Sequence, residues 1–430
     1  MGAGGGCRRR GHRPLGAVRA VAAGLCLLAA CASDAADRPD CDPDDAGLEL
    51  PDGFCALRVA EDAGPVRALV VAANGDVFVA LKSAEGGGGA LALRDVDGDG
   101  RAERRQRFGR GDAHGIALHA GHLYLAVHDA VVRWPLAAGA WPEGEPETIV
   151  TGFPDQRAHR AKSLALAPDG ALFVGVGAPS NACQREPRTP GSLGIDPCPQ
   201  RERQAGIWRY AATPGQQHAV EARFATGLRH TLALAIHPAS GALFGVVNGR
   251  DQLGQLWGFS AERNATLPAE EMVRIARGDD FGWPYCYQDG IVDRKVLAPE
   301  YGGDGEEIGR CADAKRPALV FPAHWAPMAL HFYRGDGPHA FPARYRGGAF
   351  VAFRGSWNRA PLPQEGYRVA FAPFAGDAPA GAVETFAIGA EGPTALRMTG
   401  VAEGPDGSLY VAAENRGSVW RVLPSAQPAE

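Results

Sequence analysis

Histidine and arginine side chains that stand just before short apolar strands are the first candidates for chemistry in this 430-residue chain. His159 precedes one such strand, and a histidine is able to act as a base at neutral pH because its unperturbed pKa is about 6.5. Arg229 precedes the next strand of this kind, where burial of a guanidinium is costly unless it faces an anion. On the residues alone, an ordinary loop histidine and a partly solvated rim arginine remain the alternatives.

Further cations and aromatic rings stand at similar strand entrances or beside them. They are Lys162, His230, His324, Trp325, Arg354, Arg359 and Arg397. Guanidinium groups pair with carboxylates through two hydrogen bonds, and aromatic faces stack on flat rings. If the strand entrances converge, this set of side chains favours a flat, anionic ligand.

Two segments carry hard oxygen ligands of the kind that calcium prefers. The loop 95–100 has carboxylates at positions 1, 3 and 5 of a calcium loop and glycine at position 6, namely Asp95, Asp97, Asp99 and Gly100. Glu103 stands at position 9, but position 12 is Gln106, so the loop is not a complete EF-hand and an acidic turn without an ion is the alternative. The second segment offers backbone carbonyls and paired carboxylates, from Asn248, Gly249, Arg250, Glu270 and Glu271.

An apolar strand, a turn and a second apolar strand recur six times along the chain. The units are 68–80, 115–127, 163–176, 231–247, 345–353 and 400–412. Most of the turns contain Asn-Gly, Asp-Gly or Ser-Gly, which are typical of hairpins, and the fifth is expected to turn at Gly347 and Gly348. Each unit is too small to bury its own apolar face, so together they predict a ring of six sheets. No run beyond the leader shows convincing helical periodicity, and we therefore expect an all-β fold, a six-bladed β-propeller with loops inserted on one rim.

The composition fits a turn-rich globular fold and excludes one class of partner. Glycine (58) and proline (33) are abundant, and 45% of the residues are hydrophobic. The formal net charge is −5, from 44 basic and 49 acidic residues. Because nucleic-acid-binding proteins carry an excess of basic residues, a nucleic-acid partner is not expected.

Six cysteines beyond the leader form three pairs that are close in sequence. They are Cys41 with Cys55, Cys183 with Cys198, and Cys286 with Cys311. This grouping favours nearest-neighbour disulfides in an oxidising compartment, and a metal cluster is the weaker alternative. The last two pairs fall within the insertions 178–204 and 277–316, which we expect the disulfides to staple.

The first 30 residues have the pattern of an export signal, with arginines near the start and a short apolar run after them. The run ends in Leu-Ala-Ala-Cys, which is typical of a bacterial lipoprotein signal and predicts lipidation of Cys31, with a plain signal peptide as the alternative. The predicted organisation is a signal peptide over 1–30, a lipid-anchored acidic tether over 31–47, the propeller over 48–424 and a tail over 425–430. The protein is thus expected in a bacterial cell envelope, on the periplasmic or extracellular face, held to a membrane through its lipid anchor only.

Nine sequence strings between residues 177 and 361 carry a family resemblance, which runs in all from about residue 48 to 422. They are GAPSNACQ (177–184), DPCP (196–199), AGIWRY (205–210), GRDQL (249–253), DDFGWPYCY (279–287), LAPEYGGDG (297–305), PAHWAP (322–327), GGAFVAF (347–353) and GSWNRAP (355–361). Together they resemble the soluble quinoprotein glucose and sorbosone dehydrogenases, and within them the L-sorbosone dehydrogenase branch. The resemblance implies a six-bladed propeller that binds pyrroloquinoline quinone (PQQ) and calcium and oxidises a sugar aldehyde or aldose.

The resemblance also implies roles for individual residues. His159 matches the general base that takes a hydroxyl proton while hydride passes to the quinone. Arg229 matches the arginine beside the quinone oxygens, and Gly249 with its neighbours matches the calcium site. The residues implied in holding or lining the cofactor are Lys162, His230, His324, Trp325, Arg354, Arg359 and Arg397. The chain has no haem-attachment motif, so a separate electron acceptor, a cytochrome or a quinone, is expected.

Four positions depart from the family pattern: His230, Asn248, Arg354 and Met398 stand where Asn, His, His and Pro are usual. Two other functions therefore remain open. One is a calcium-dependent sugar lactonase on a similar propeller, which would need two or more carboxylates or a cluster of metal-ligating side chains at the axis. The other is a sugar-binding lipoprotein without catalytic activity.

Overall fold

Runs of β-branched and small apolar residues between glycine turns form the strands of six antiparallel sheets. The computed structural model describes residues 1–2, 38–82, 89–137, 139–389 and 395–425. The chain divides into two compact units, Met1–Arg38 and Pro39–Glu430, and all six sheets belong to the second. The first strands of neighbouring sheets pack side by side in a closed ring, so the sheets are the blades of the predicted six-bladed β-propeller.

Each blade is a meander of four strands, and its first strand lies nearest the axis of the ring. Blade 1 consists of Val66–Val71, Val77–Leu81, Ala90–Arg94 and Arg104–Phe108. Blade 2 consists of Ala113–His119, His122–Val127, Val131–Pro135 and Glu147–Thr151. Blade 3 consists of Ser163–Leu166, Ala171–Val176, Gly206–Ala211 and Arg223–Thr226.

The second half of the ring repeats the same strand order. Blade 4 consists of Thr231–Ile236, Leu243–Val247, Glu270–Ile275 and Leu319–Phe321. Blade 5 consists of Pro327–Phe332, Ala349–Phe353, Arg368–Ala372 and Glu384–Gly389. Blade 6 consists of Met398–Glu403, Leu409–Ala413, Ser418–Pro424 and the early strand Phe54–Ala60.

The early strand closes the ring. Phe54–Ala60 pairs antiparallel with Ser418–Pro424, so strands from distant parts of the chain share blade 6. Leu48–Glu49 extends the outer edge of blade 5, and Gln216–Gln217 adds a short parallel strand to blade 2. Blade 6 is therefore complete only when the chain before residue 61 is in place.

Five of the six predicted hairpins are confirmed as the first two strands of blades 1, 2, 3, 4 and 6. The fifth, expected at 345–353 with a turn at Gly347 and Gly348, is wrong. Ala349–Phe353 pairs instead with Pro327–Phe332, across a long loop that contains the 3-10 helix Ala343–Tyr345. A search for short turns could not find a pairing with so large a sequence separation.

All three predicted disulfides are present, two of them in the insertions 178–204 and 277–316 and the third at the early strand Phe54–Ala60. Cys41–Cys55, Cys183–Cys198 and Cys286–Cys311 are bonded as expected. The extra hairpins are Cys286–Asp289 with Arg294–Leu297, and Phe374–Ala375 with Ala378–Pro379. The helices are Leu253–Trp257 and Ala261–Thr266, and the further 3-10 turns are Asp45–Gly47, Pro199–Arg201, Val220–Ala222, Pro299–Tyr301 and Gly309–Asp313. These two helices, of five and six residues, are too short to show a helical period in the sequence.

A tryptophan on the third strand of three blades anchors the packing between neighbours. Trp134, Trp208 and Trp420 are at most 1% exposed. Each indole N–H donates to a backbone oxygen at 3.1 Å, those of Gly144, Ala219 and Ala46 respectively. A buried indole contributes a large apolar area and needs a partner for its N–H, so each position is satisfied on both counts.

Within the described ranges no helix has the length and hydropathy needed to cross a membrane. The predicted signal peptide lies almost entirely, and the lipidated Cys31 entirely, outside the described residues.

Deleting the early strand should abolish folding, whereas removing the residues before Pro39 should not. A chain of residues 61–430 leaves the edge of Ser418–Pro424 unpaired and removes the buried Leu57 and Val59 from the core. We expect this chain to be insoluble or molten and residues 39–430 to melt cooperatively, as measured by circular dichroism and calorimetry. Cooperative melting of the 61–430 chain at the same temperature would contradict this view of ring closure.

Candidate active site

The imidazole of His159 lies at the entrance to blade 3, with its hydrogen bonding set by the backbone. Its Nδ1 donates to the carbonyl oxygen of Ala178 at 2.7 Å, which leaves Nε2 as the acceptor nitrogen. Burial and the nearby Arg229 guanidinium lower the pKa of His159 to about 3, so the ring is neutral at neutral pH. Its backbone φ is 50°, a strained conformation for a residue with a side chain. A neutral imidazole oriented in this way is suited to accept a proton.

His230 stacks on His159. The two ring centroids are 4.7 Å apart and the planes differ by 29°. Both residues pack against Gly177, where a Cβ atom would lie 2.6 Å from Nδ1 of His230 and 2.7 Å from Cβ of His159. A side chain at this position would therefore displace the imidazole pair. Burial, His159 and Arg229 together lower the pKa of His230, so this ring is also neutral.

Arg229 is buried, and hydrogen bonds fix the orientation of its guanidinium group. It donates to the backbone oxygen of Asn181 at 3.2 Å, to the side-chain oxygen of Asn181 at 3.1 Å and to the carbonyl of Gly249 at 2.6 Å. Arg229 and Arg188 each lie 2.9 Å from Oδ2 of Asp251. Burial raises the pKa of Asp251, but the two guanidinium groups outweigh it and lower the pKa to about 2. Two cations thus share one carboxylate beside the histidine pair.

A second group of cations surrounds Glu414 where blades 5, 6 and 1 meet. Glu414 forms an ion pair with Arg354, and its Oε1 lies 3.3 Å from Nζ of Lys82 and 3.6 Å from Nη1 of Arg67. Burial and Arg354 lower the pKa of Arg67 to about 10. Arg354, Arg397 and Glu414 line an open cavity of about 560 Å³. Three cations therefore surround one buried carboxylate, and Arg397 lines the same cavity; we call Arg67, Lys82, Arg354, Arg397 and Glu414 the cation cluster.

His114 and Arg67 connect the histidine pair with the cation cluster. Both residues lie close enough to His230 to lower its pKa. Nε2 of His114, in blade 2, lies 3.3 Å from the carbonyl oxygen of Leu232 in blade 4, so this side chain reaches across the axis. Nδ1 of His114 is buried and has no hydrogen-bond partner in the described part of the chain. The excess of cations fits an anionic ligand at the axis, whereas the unpartnered Nδ1 of His114 is an acceptor and would need a hydrogen-bond donor.

The structure brings together some of the predicted site residues and shows others that the sequence analysis missed. His159, His230 and Arg229 lie next to one another, and Arg354 and Arg397 line the cavity beside Glu414. The missed residues are Arg67, His114, Asn181, Asp251 and Glu414. Arg67 stands directly before the first predicted hairpin, in the position that singled out Arg229, so the same rule could have found it. For the others, no sequence signal distinguishes them from ordinary loop or strand residues.

The side chains of Lys162, His324 and Arg359 contact protein atoms of the loops, and their predicted contacts with the cofactor stay predictions. Lys162 is 0% exposed, donates to the carbonyl of Arg160 at 2.6 Å and lies over the ring of Phe153. Nε2 of His324 contacts the carbonyl oxygens at 264 and 267, at 2.8 and 2.9 Å. Arg359 donates to the carbonyls of residues 265 and 363 and pairs with the carboxylate at 365. These side chains satisfy loop backbone instead of facing the axis.

Trp325 is mostly buried as well. Its indole lies edge-on to Phe353, carries the guanidinium of Arg368 over its face at 4.5 Å, and donates to Glu365 at 3.2 Å. It is 9% exposed and belongs to the core between blades 4 and 5. Trp325 therefore stabilises the loop before blade 5.

The residues expected to form a calcium site around Gly249 do not present one donor set. Glu270 accepts hydrogen bonds from the backbone N–H groups of Gly249 (2.7 Å) and Ala326 (3.1 Å), and burial raises its pKa to about 7. Glu271 pairs instead with the buried Lys295 at 2.6 Å. The carbonyl of Gly249 already accepts from a guanidinium, as described above, so a metal ion would have to share it.

The neighbouring side chains are engaged too. Asn248 donates to the carbonyl of Pro327 at 2.9 Å, and Arg250 forms a buried ion pair with Glu300. The second oxygen of Glu300 accepts from the indole of Trp257 at 2.8 Å. Because these donors already have partners, the expected ligand set around Gly249 does not fit calcium in this arrangement.

The acidic loop fits calcium better. Asp95, Asp97, Asp99 and Glu103 bring ligand oxygens within 4.8 Å of one another. The loop connects the third and fourth strands of blade 1, on the face that also carries the turn after Val66–Val71. His159 and Arg229 lie at the opposite ends of the inner strands, so this cluster is remote from the axial site.

Comparisons with known proteins agree with the fold. The family model described as TrAA12-like matches residues 48–425. The calcium structure of a family AA12 carbohydrate-active enzyme from Trichoderma reesei has a TM-score of 0.72 at 18% identity, covering 88% of this chain and 97% of that one. The holo form of the pyranose dehydrogenase PQQ domain from Coprinopsis cinerea has a TM-score of 0.69 at 19% identity, covering 87% and 97%. At these identities the likeness shows the fold alone.

Two bacterial proteins complete the comparison. The PQQ-bound form of an aldose sugar dehydrogenase from Streptomyces coelicolor has a TM-score of 0.54 at 18% identity, covering 87% of this chain and 99% of that one. An uncharacterised protein of Borreliella burgdorferi is 30% identical over 142 residues. That match covers 31% of this chain and only 30% of the length of that relative.

Replacing the buried Lys162 by methionine should stabilise the protein. Burial lowers the pKa of Lys162 from its ordinary 10.5 to about 8, so the folded state disfavours the charged form. This cost is present in full below about pH 8 and disappears as the pH rises past 10.5. We expect Lys162→Met to raise the free energy of unfolding by about 2 kcal/mol at pH 7 and by less at pH 10, measured by urea denaturation. A lower stability of the variant at pH 7 would show that the ammonium is favourably bound.

Proposed function

Because the chain belongs to the TrAA12-like family, we propose that it is a PQQ-dependent oxidoreductase that acts on sugars. The observation that carries the proposal is the axial arrangement: a neutral, oriented His159 beside a fixed Arg229, facing a cluster with an excess of cations. Solved proteins of the same fold include one named as a pyranose dehydrogenase PQQ domain and one as a PQQ-bound aldose sugar dehydrogenase. These names support the proposed cofactor and substrate class.

The cation cluster would hold the carboxylates of the cofactor. Arg67, Arg354 and Arg397 supply guanidinium groups, which pair with carboxylates through two hydrogen bonds. PQQ, when bound, supplies an ortho-quinone that accepts a hydride. The departures from the family pattern at His230 and Arg354 both keep a hydrogen-bonding side chain at the axis, so they are compatible with binding.

His159 would remove the hydroxyl proton from the substrate. Its Nε2 accepts this proton because Nδ1 is already committed to the carbonyl of Ala178. Arg229 provides positive charge next to the reacting groups, and its bonds to Asn181 and Asp251 keep that charge in place without reorganisation. These hydrogen bonds thus fix a base, His159, and a cation, Arg229, in position before the substrate binds.

The finer assignments are part of the same proposal. The substrate is a sugar aldehyde or aldose, L-sorbosone-like according to the resemblance, and the electrons leave to a separate cytochrome or quinone. The export signal and Cys31 support a lipid-anchored protein of the bacterial envelope. Calcium is proposed at the acidic loop, where Asp95, Asp97 and Asp99 converge.

Replacement of His159 by asparagine should abolish turnover but leave cofactor binding intact. The variant loses the proton acceptor, which we expect to lower kcat for sugar-dependent dye reduction at least about 100-fold. The PQQ dissociation constant should stay within about threefold of the wild-type value, because the cation cluster is unchanged. His122→Asn, at the turn of the first hairpin of blade 2, is the matched control and should behave as wild type.

Full turnover of His159→Asn would contradict the assigned role of His159. Failure of the wild-type protein to bind PQQ at all would contradict the proposed function and favour sugar binding or lactone hydrolysis.

Calcium should stabilise the acidic loop without changing cofactor affinity. We expect addition of calcium to raise the melting temperature of the wild-type protein but not of an Asp95→Asn, Asp97→Asn double variant. The affinity for PQQ should be the same in both, because the loop lies on the face opposite His159. An equal calcium response of the two proteins would place the ion elsewhere.

A further inference from the structure

Glu414 occupies the centre of the cation cluster. Its side chain is 8% exposed, and the three cations that contact it come from two other blades: Arg354 from blade 5, and Arg67 and Lys82 from blade 1. Burial raises the pKa of Glu414, but the surrounding cations outweigh it and the pKa is lowered. The carboxylate is therefore ionised in the protein without ligand.

The backbone keeps Glu414 in this position. Its N–H donates to the carbonyl of Arg397 at 2.9 Å, and the next residue, Asn415, accepts from the N–H of Arg397 at 2.9 Å and donates to the carbonyl of Ala395 at 2.9 Å. The same turn packs tightly at Gly417, where a Cβ would lie 2.6 Å from the backbone nitrogen and oxygen of residue 64. The turn cannot move away without breaking these contacts.

This placement has two opposite consequences. Without ligand, Glu414 reduces the repulsion among Arg67, Arg354 and Lys82, which would otherwise be uncompensated. When an anionic ligand enters, its carboxylate must share those guanidinium groups with Glu414, and two like charges at one site repel. The same residue thus stabilises the ligand-free protein and opposes anion binding.

We propose that Glu414 is an internal counter-ion that occupies part of the anion site and thereby lowers its affinity for polycarboxylate ligands. The identity of the physiological ligand as PQQ rests on the proposed function, whereas the competition itself applies to any polycarboxylate.

The test compares citrate and PQQ binding to wild-type protein and to Glu414→Gln by isothermal titration calorimetry at low ionic strength. We expect Glu414→Gln to bind both ligands at least about tenfold more tightly, because a competing charge is removed. The ligand-free variant should melt at a lower temperature than the wild type, and citrate should raise its melting temperature by more. Glu384→Gln is the matched control, since it removes an exposed carboxylate paired with Arg344 at 2.8 Å on the outer strand of blade 5, and its affinities should stay within twofold of wild type.

Glu414→Asp keeps the proposal testable if the glutamine variant does not fold. It retains the charge but draws it back by one methylene from Arg354, so we expect a smaller gain in affinity, about two- to threefold. The inference is overturned if either Glu414 variant binds citrate no more tightly than the wild type. It is also overturned if neither the wild type nor the Glu414 variants bind citrate, or if Glu384→Gln gains as much affinity for citrate as Glu414→Gln. Tighter citrate binding by Glu414→Gln without PQQ binding to any variant would support the role of Glu414 and contradict the proposed function.

Discussion

The crowding of several guanidinium groups at one axis is the constraint on which the site depends. Cations buried close together in a low-dielectric environment repel one another and must be compensated. Two carboxylates provide this compensation. Asp251 is shared between Arg229 and Arg188, and Glu414 is shared among three cations. In each case one carboxylate serves more than one cation, so positive charge remains in excess. An anionic ligand completes the balance, which links the electrostatics of the ligand-free protein directly to its proposed cofactor.

The insertions make this arrangement rigid. Asn181, two residues before the loop that Cys183–Cys198 closes, accepts two hydrogen bonds from Arg229 and exchanges two more with the backbone of Asp251. His324 and Asn358 tie the helix Ala261–Thr266 to the loop before blade 5. His324 and Asn358 therefore hold two loops together, and Asn181 fixes the guanidinium of Arg229. A site supported in this way has its charges oriented before substrate or cofactor arrives.

The sequence was sufficient for the fold wherever the information was local. Short turns predicted five hairpins, and neighbouring cysteines predicted all three disulfides, because both features depend on residues close in sequence. The pairing of Pro327–Phe332 with Ala349–Phe353 depends on a long loop, and it was missed. In the site, the position of His159 and Arg229 before inner strands was informative, because all inner strands begin on the same face of the ring, next to the axis. The direction of the Lys162 side chain, and the convergence of Glu414 on Arg67 from a distant strand, depend on packing between blades and could not be predicted.

A crystal structure of residues 39–430 grown with PQQ tests the axial site most directly. We expect PQQ at the axis, with its carboxylates in contact with Arg67, Arg354 or Arg397 and its quinone edge next to His159 and Arg229. PQQ bound outside the ring of inner strands, or an axis without PQQ in crystals of a protein that binds it in solution, would show that the axial cations and His159 do not form one catalytic site.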